Sequence, residues 1–455
     1  MTTRPVEALI VGAGIAGLAA ALALHRAGIR AQVFEAVDDI RALGVGINLL
    51  PHSVKELWSL GLKDALEETA ILTSTLRFHS KHGKPIWSEP RGYDAGYPWP
   101  QYSIHRGALQ RVLLEAARAR LGDDAVVSGH ALSAFEQDGD GVTAHFIHRK
   151  SGRQQTSRRA DVLIGADGLM SSVRAAFYPD EGNPVYSGQM LWRGVVEWDP
   201  IFDGRSCVMI GHNDLKAVIY PISETARRRG RAQINWVAER RLPGSLPPNQ
   251  ADWNRRGDPA DFVDAFRDWR FDWLDVPALF AATDAVYEFP MVDRNPVARW
   301  SFSRVTLIGD AAHAMRPNGS NGASQAILDG IALADALAGT DATSLGSIES
   351  ALTAYQTTRL EPTAKLTLDN RETGPERVLQ MVEDRCPNGF DDIYDHFARD
   401  ELAEIAERYK KLAGFHRDTL LQPLVQPRDQ RTPQPAVQPS AQAPLQPSPK
   451  AGERP

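Results

Sequence analysis

The sequence predicts an α/β protein. A Rossmann-like doubly wound sheet is interleaved with a mixed or antiparallel β-sheet domain, followed by C-terminal helices and a disordered tail. Three observations predict it. A glycine-rich turn joins an apolar strand to a helix at the N-terminus. Two further strand–turn–helix junctions occur at 161–174 and 304–313. Between these two junctions lie about 120 residues rich in aromatic and β-branched side chains, the composition of antiparallel strands.

Glu7–Val11 (EALIV) reads as a short buried strand. Gly12-Ala13-Gly14-Ile15-Ala16-Gly17 follows, then a helix (LAAALALHRAG) that closes at Gly28, a C′ glycine. A second strand, Ile29–Phe34, ends in Glu35. This is the dinucleotide-binding fingerprint. Gly12 makes the tight turn, Gly14 lets the backbone approach a diphosphate, and Gly17 lets helix pack on strand. The helix N-terminus offers N–H groups and a positive dipole end. Glu35, 18 residues past Gly17, suits a ribose hydroxyl and so favours FAD or NAD over NADP. No second GxGxxG occurs, so one such site is expected.

The second junction, DVLIGADGLMSSVR (161–174), runs a strand into Asp167-Gly168; Ser171 or Ser172 then caps a helix bearing Arg174. The third, RVTLIGDAAH (304–313), ends a strand in Gly309-Asp310. A carboxylate there sits where open α/β sheets bind ligands, and Asp310 suits a ribityl hydroxyl. Asp167 has two readings, cofactor contact or structural turn residue. Pro317-Asn318-Gly319-Ser320-Asn321-Gly322 precedes a long helix whose N-terminus would favour negative charge on a flavin's pyrimidine edge.

Gln189–Trp198, Lys216–Ile222 and Ala232–Val237 read as antiparallel strands. Alternation puts Met190, Trp192 and Gly194 on one face, with Leu191, Arg193 and Val195 on the other. One strand does not say which face meets substrate. Aromatic pocket candidates are Trp192, Tyr220, Trp236 and Phe289, with Met291 and Arg316 near the flavin loop; core packing is the competing role for each. Trp253, Trp269 and Trp273 are assigned to packing, the last two in a helical stretch, DFVDAFRDWRFDWL. The expected organisation is discontinuous. Residues 1–75, 104–185 and 295–375 bind the dinucleotide, and 76–103 with 186–294 form the substrate sheet. Residues 376–420 are a helical cap, and 421–455 are the tail.

Composition sets the bounds. The 455 residues carry a net charge of −6, against a basic nucleic-acid-binding surface. Cys207 and Cys386 are the only cysteines, which excludes a disulfide framework and cysteine-built metal centres and fits a reducing, cytoplasmic compartment. His79 and His82 lack acidic partners nearby, so no metal site is expected. Neither GxSxG nor Walker A is present. The apolar run Ala8–Leu24 is punctuated by glycines and is too short to span a membrane. Nine of the 30 prolines fall in the last 34 residues, a stretch without aromatics that cannot offset its ordering entropy.

The three motifs, in this order and spacing, resemble the single-component FAD-dependent aromatic hydroxylases of the p-hydroxybenzoate hydroxylase type, over roughly residues 5–375. Within that family, LGVGIN (43–48), WSEPRG (87–92), PQYSIHRG (100–107), ADWNR (251–255), FPMVDRN (289–295) and NGASQAILDGI (321–331) are similar to the phenazine monooxygenases. The resemblance implies FAD with its ADP half on Gly12–Gly17, Glu35 and Ala36, and with Leu132 beside the adenine. Arg106 would reach the phosphate or ribityl region, where Asp310 also binds. Gly44–Ile47, Gly46 foremost, would lie along the isoalloxazine, and Gly319–Gly322 at its pyrimidine edge. Asp167 would serve FAD and the reduced nicotinamide. The resemblance further implies NADH or NADPH as co-substrate and O2 as oxidant. A C4a-hydroperoxyflavin would hydroxylate a small aromatic substrate, in a monomer or homodimer without nucleic-acid or membrane partners. On a phenazine carboxylate, attack at the carboxyl-bearing carbon would release CO2. One departure stands out: many members have Pro-x-x-Gly-x-Gly-x-Asn after the GD motif, and here the glycines are redistributed. Two other readings stay open, an FAD oxidoreductase that does not hydroxylate and a flavin-binding redox scaffold.

Overall fold

Strands that are apolar on both faces pair in parallel and need helices on either side. The computed structural model describes residues 4–41, 44–242, 244 and 255–421. Leu43, Trp253 and the rest of 251–254, and the tail from 422 on, lie outside them. A six-stranded sheet runs in the order Ser301–Phe302, Val305–Leu307, Val162–Gly165, Glu7–Val11, Arg30–Phe34, Val126–Val127. Neighbours are parallel except the edge pair at 301–307. Val11, Gly165 and Leu307 therefore end on one edge of the sheet, and all three sequence motifs open there, where such sheets bind ligands.

The helix Ile15–Arg26 is buried from Ile15 through Leu24, as an alanine-rich helix under a sheet must be. It ends at Gly28, which takes a positive φ of 77°. The helix Gly322–Leu337 lies against it at a point where only glycine fits: a Cβ on Gly330 would come within 2.9 Å of the Ala20 backbone.

The second sheet has seven strands in the order Tyr287–Asp293, Val185–Trp198, Ala232–Arg241, Leu215–Pro221, Ser206–His212, Thr75–His79, Pro85–Pro90. Only Ser206–His212 with Thr75–His79 is parallel. Its two faces differ in kind. Met190, Trp192, Ile234, Trp236 and Ile219 pack into an outer core with Phe262, Phe266 and Phe280. Leu191, Arg193, Asn235, Val237, Lys216, Val218 and Tyr220 alternate with them and take the inner face.

One expected element is different. The stretch read as a helix, DFVDAFRDWRFDWL, is two 3₁₀ turns, Pro259–Asp261 and Val263–Phe266, followed by a small hairpin, Arg270–Phe271 with Leu274–Asp275. Phe262, Phe266, Trp269 and Leu274 all have to reach the outer core, and turns aim them inward where one helical stripe would not. Trp269 and Trp273 do pack against that core. Among the described residues no helix is long and apolar enough to cross a membrane.

His52, buried and stacked on Phe415 (5.6 Å), has its pKa pushed down to about 3 by burial, with the Arg359 charge adding to it. The folded state thus refuses a proton that the unfolded chain accepts near 6.5. Stability is expected to fall as pH drops below 6.5, by about 1.4 kcal/mol per unit for this one group. Urea unfolding of wild type and H52Q at pH 6.5 and 5.0 should differ in slope by about 2 kcal/mol over that interval; equal slopes would count against a buried neutral His52.

Candidate functional site

The three motifs pack into one another. Gly12 holds φ 105°, and a Cβ there would lie 2.5 Å from the Ala166 carbonyl oxygen, just before Asp167. Gly309 holds φ 59°, and its Cβ would lie 2.8 Å from Ala16. Arg174, buried in the helix Ser172–Phe177, donates to the carbonyls of Ala312 (2.7 Å), Ala311 (3.1 Å) and Asn295 (2.9 Å), so the second motif is clamped to the third. Asp329 is fully buried and accepts from Gly309 N (2.8 Å), His313 Nε2 (2.5 Å) and Arg359 Nε (2.8 Å), which fixes the Gly309-Asp310 turn from behind. His313 is thus a structural member of the turn.

The residues present fit a dinucleotide. No side chain caps the helix Ile15–Arg26 and no acid lies in its first turn, so its N–H groups face outward for an anion. A Cβ on Gly14 would meet nothing within 4 Å, which leaves the open approach a diphosphate needs. Glu35 accepts from Ala13 N (2.8 Å) and Val37 N (3.1 Å), so its carboxylate sits at the glycine turn with half-buried Ala36 beside it. Asp310 is half-buried and its carboxylate has no partner among the described residues. Leu132 lies on the strand Ala131–Gln137, packed against the main core.

Gly46 and Ile47 belong to the strand Gly46–Leu49, paired with Tyr102–His105. Gly46 N donates to Asn235 Oδ1 (2.7 Å) on the inner face of the large sheet. A Cβ on Gly46 would clash with Tyr220 (2.7 Å) and Asn235 (2.8 Å), so glycine brings this strand against the sheet. Arg106 starts the helix Arg106–Leu121, its N–H held by the Val45 carbonyl (2.9 Å). Arg193 is half-buried on the inner face, and desolvation together with the Arg106 charge lowers its pKa to about 10. Two guanidiniums within reach of each other make this region favour negative charge.

The loop Asn318–Ser320 shows what the redistributed glycines do. Gly319 and Ser320 both take positive φ, 70° and 57°. Gly319 N points at Glu376 Oε1 (3.4 Å), and Asn318 Nδ2 donates to Glu376 Oε2 (2.8 Å). Lys216 Nζ pairs with Glu376 and with Glu239 (2.9 Å); burial pushes the Glu239 carboxyl up to about 6 against the pull of Lys216. Tyr409, on the helix Arg399–Leu412, accepts from Asn321 Nδ2 (2.9 Å) and donates to Asn318 O (3.1 Å) or Asn370 Oδ1 (3.0 Å). The loop is therefore pinned by the C-terminal helices.

Three expectations change, and of the two readings of Asp167 its side chain serves the turn. Trp192 and Trp236 face the outer core and are withdrawn as pocket residues, because alternation sends them away from Gly46. Arg316 turns to the Arg371 carbonyl (3.2 Å) and to the buried Asp293 (3.3 Å), so it is spent on an ion pair. Asp167 Oδ atoms accept from Ser171 Oγ (2.5 Å), Ser172 N (2.7 Å) and Ser172 Oγ (2.8 Å), so its side chain serves the turn. Tyr220, Phe289 and Met291 do take the inner side: Phe289 and Met291 pack with Leu169 and Leu191, and Arg193 lies over the Phe289 ring at 5.4 Å.

A cavity of about 20 Å³ opens between the inner face and the loop. Asn48, Ser320, Leu76, Cys207 and Met209 line it, with Tyr409 and Phe415 as its roof. Sequence reasoning missed Asn48, Asn235, Glu376, Tyr409 and the clamp role of Arg174. Each acts on partners remote in the chain, and none carries a local signal.

An anion-ready glycine turn, an acid at the ribose position and a second sheet facing a pinned loop define an FAD-binding α/β oxidoreductase. Residues 5–370 match the family model described as FAD binding domain, and the chain belongs to that family. Phenazine 1,6-dicarboxylic acid hydroxylase PhzS of Lysobacter antibioticus is 43% identical over 373 residues, 82% of this chain and 90% of that protein. The 3-amino-4-hydroxybenzoate 2-monooxygenase PtnB3 of Streptomyces platensis is 34% identical, covering 84% and 92%. Among solved structures, a Klebsiella pneumoniae HpxO variant complexed with FAD matches with a TM-score of 0.67 at 25% identity, covering 90% of this chain and 94% of that one. The protein is a single-component FAD-dependent aromatic monooxygenase that uses NADH or NADPH and O2.

Proposed function

We propose that this enzyme hydroxylates a phenazine carboxylate, with loss of CO2 where oxygen enters at the carboxyl-bearing carbon. The observation that carries the reading is the 43% identity, over nine-tenths of its length, to a phenazine 1,6-dicarboxylic acid hydroxylase. The inner face adds support: Leu76, Cys207 and Met209 put apolar, polarizable side chains there. FAD, when bound, supplies the redox chemistry, taking hydride from the nicotinamide and activating O2. The chain's own residues position and shield. Gly12–Gly17, Glu35 and Asp310 hold the dinucleotide. Arg106 and Arg193 favour negative charge beside it, and Gly46 seats the strand under Tyr220. The sheet over 186–294, with 76–103, roofs the site and excludes water.

The test is turnover. Phenazine-1-carboxylate and phenazine-1,6-dicarboxylate are added to holoenzyme with NADH or NADPH, and flavin reduction is followed by stopped flow. The expected result is reduction accelerated at least tenfold, with one atom of ¹⁸O₂ found in the ring product. Peroxide as the sole oxygen product, with every phenazine inert, would overturn the reading.

A further inference from the structure

Three charged side chains meet between the large sheet and the loop Asn318–Ser320. Lys216 and Glu239 stand opposite each other on neighbouring strands, and Glu376 closes the 3₁₀ turn Gly374–Glu376. Each is 4% exposed. One ammonium serves two carboxylates, so the cluster buries one negative charge more than it balances. A buried charge left over is neutralised by binding a proton. The two carboxylates are unequal candidates for it. Glu376 accepts from Lys216, from Asn318 Nδ2 (2.8 Å) and from Gly319 N (3.4 Å). Glu239 has the ammonium alone: its Oε2 lies 2.9 Å from Lys216 Nζ and accepts nothing else among the described residues. Three donors hold Glu376 in its ionised form, so the proton goes to Glu239.

The loop these residues hold adjoins the dinucleotide elements. Ser320 Oγ meets Asn48 Nδ2 (3.4 Å) on the strand that begins at Gly46. The helix Gly322–Leu337 starts where the loop ends. It has no side-chain cap and no acid in its first turn, like the helix Ile15–Arg26 on which it packs. A hydride from the nicotinamide carries two electrons and one proton, so a neutral flavin that receives it gains one negative charge. The N-terminus of this helix favours such a charge. Buried groups are little screened from it. Burial, and the like charge of Glu376, raise the Glu239 carboxyl to about 6 against the pull of Lys216, and no other charge shifts it. One more negative charge nearby raises it further. Above about pH 6, reduction of the flavin therefore draws a proton from solvent onto Glu239.

We propose that Glu239 is a proton acceptor coupled to the flavin: it binds one proton from solvent as the flavin receives a hydride, with Lys216 and Glu376 as its positioning residues. The proposal rests on FAD facing this loop and is independent of the substrate. The test is the two-electron midpoint potential of the bound flavin, measured on holoenzyme without substrate by equilibration with a reference dye, at a series of pH values either side of about 6. Each proton taken up with the two electrons makes the reduction constant fall tenfold per pH unit, about 30 mV. In the unit above about pH 6, wild type is expected to fall tenfold more steeply than Glu239→Gln. Well below that pH the two should run parallel, because Glu239 is then protonated with either state of the flavin. Glu239→Asp keeps a carboxylate and should keep most of the steeper fall. Glu376→Gln leaves Glu239 alone with Lys216 and ionised throughout, so it should also lose the extra proton. Wild type and Glu239→Gln running parallel at every pH would overturn the proposal, as would Glu376→Gln parallel to wild type where Glu239→Gln fails to fold. Asn318→Ala reports the placement separately: it takes a loop donor from Glu376 and should move the absorbance spectrum of the bound flavin. Parallel potentials with a moved spectrum would overturn the proton coupling alone. Parallel potentials with an unmoved spectrum would take the flavin away from this loop, and the proposal with it.

Discussion

Replacing Arg174 by methionine is expected to destabilise the protein by about 3–5 kcal/mol, the cost of breaking a buried ion pair from one side. Arg174 is 1% exposed and spends its guanidinium on Glu181 (2.5 and 2.8 Å) and on three carbonyls across two other segments. Methionine fills much of the volume and returns none of these bonds. The carbonyls of Ala311 and Ala312 are left dry, and Glu181 keeps only Arg294 (3.3 Å). The damage is directional, because Ala311 and Ala312 follow Asp310. Loosening them should raise the rate at which flavin leaves, seen as recovery of flavin fluorescence on dilution. R174K should fare nearly as badly, since one ammonium cannot reach partners on opposite sides of a planar fork. E181Q, which keeps the carbonyl bonds, should cost less than half as much. Urea unfolding monitored by tryptophan fluorescence decides it: R174M within about 1 kcal/mol of wild type would show that the clamp is not what joins the two motifs.

The first motif was legible because its chemistry is local. Gly12 to Gly17, the helix to Arg26 and Gly28 lie within seventeen consecutive residues, and spacing alone specifies them. The Gly309-Asp310 turn was legible for the same reason, but its support was not, because Asp329 and Arg359 come from the next two helices. Alternation along 189–198 separated the two faces correctly and left their assignment open. The assignment follows from neighbours: Gly46 has to reach Asn235, and the aromatic segment 262–280 has to cover Trp192 and Trp236. A hint was present, in that the inner face carries Arg193, Asn235, Glu239 and Lys216. Polar residues at alternate positions of a buried sheet mark a ligand side or an ion-pair network. Glu376 and Tyr409 were beyond reach. They meet their partners across 39 to 160 residues, and nothing periodic announces them.

Gly14 and Gly17 separate binding from folding, and two alanine substitutions should show it. At Gly17 a Cβ would press into the Gly12 carbonyl oxygen and lie 3.2 Å from Ile10 Cγ2. The helix Ile15–Arg26 would have to lift from its strand, and this helix is buried along ten residues. G17A should therefore lose stability as apoprotein, by about 1–3 kcal/mol for overpacking a dense core, and also fail to retain FAD. At Gly14 a Cβ meets nothing within 4 Å of protein. G14A apoprotein should unfold at the wild-type urea midpoint. Its methyl nevertheless stands where the diphosphate must approach the backbone, so FAD affinity should fall about 100-fold, or about 2.7 kcal/mol. Flavin content after purification and fluorescence titration of apoprotein with FAD measure the first effect, and urea unfolding the second. A G14A protein that holds FAD like wild type would mean that the diphosphate does not lie over this turn. A G17A apoprotein as stable as wild type would mean that the helix has slack against its strand, which the contact at Gly12 does not allow.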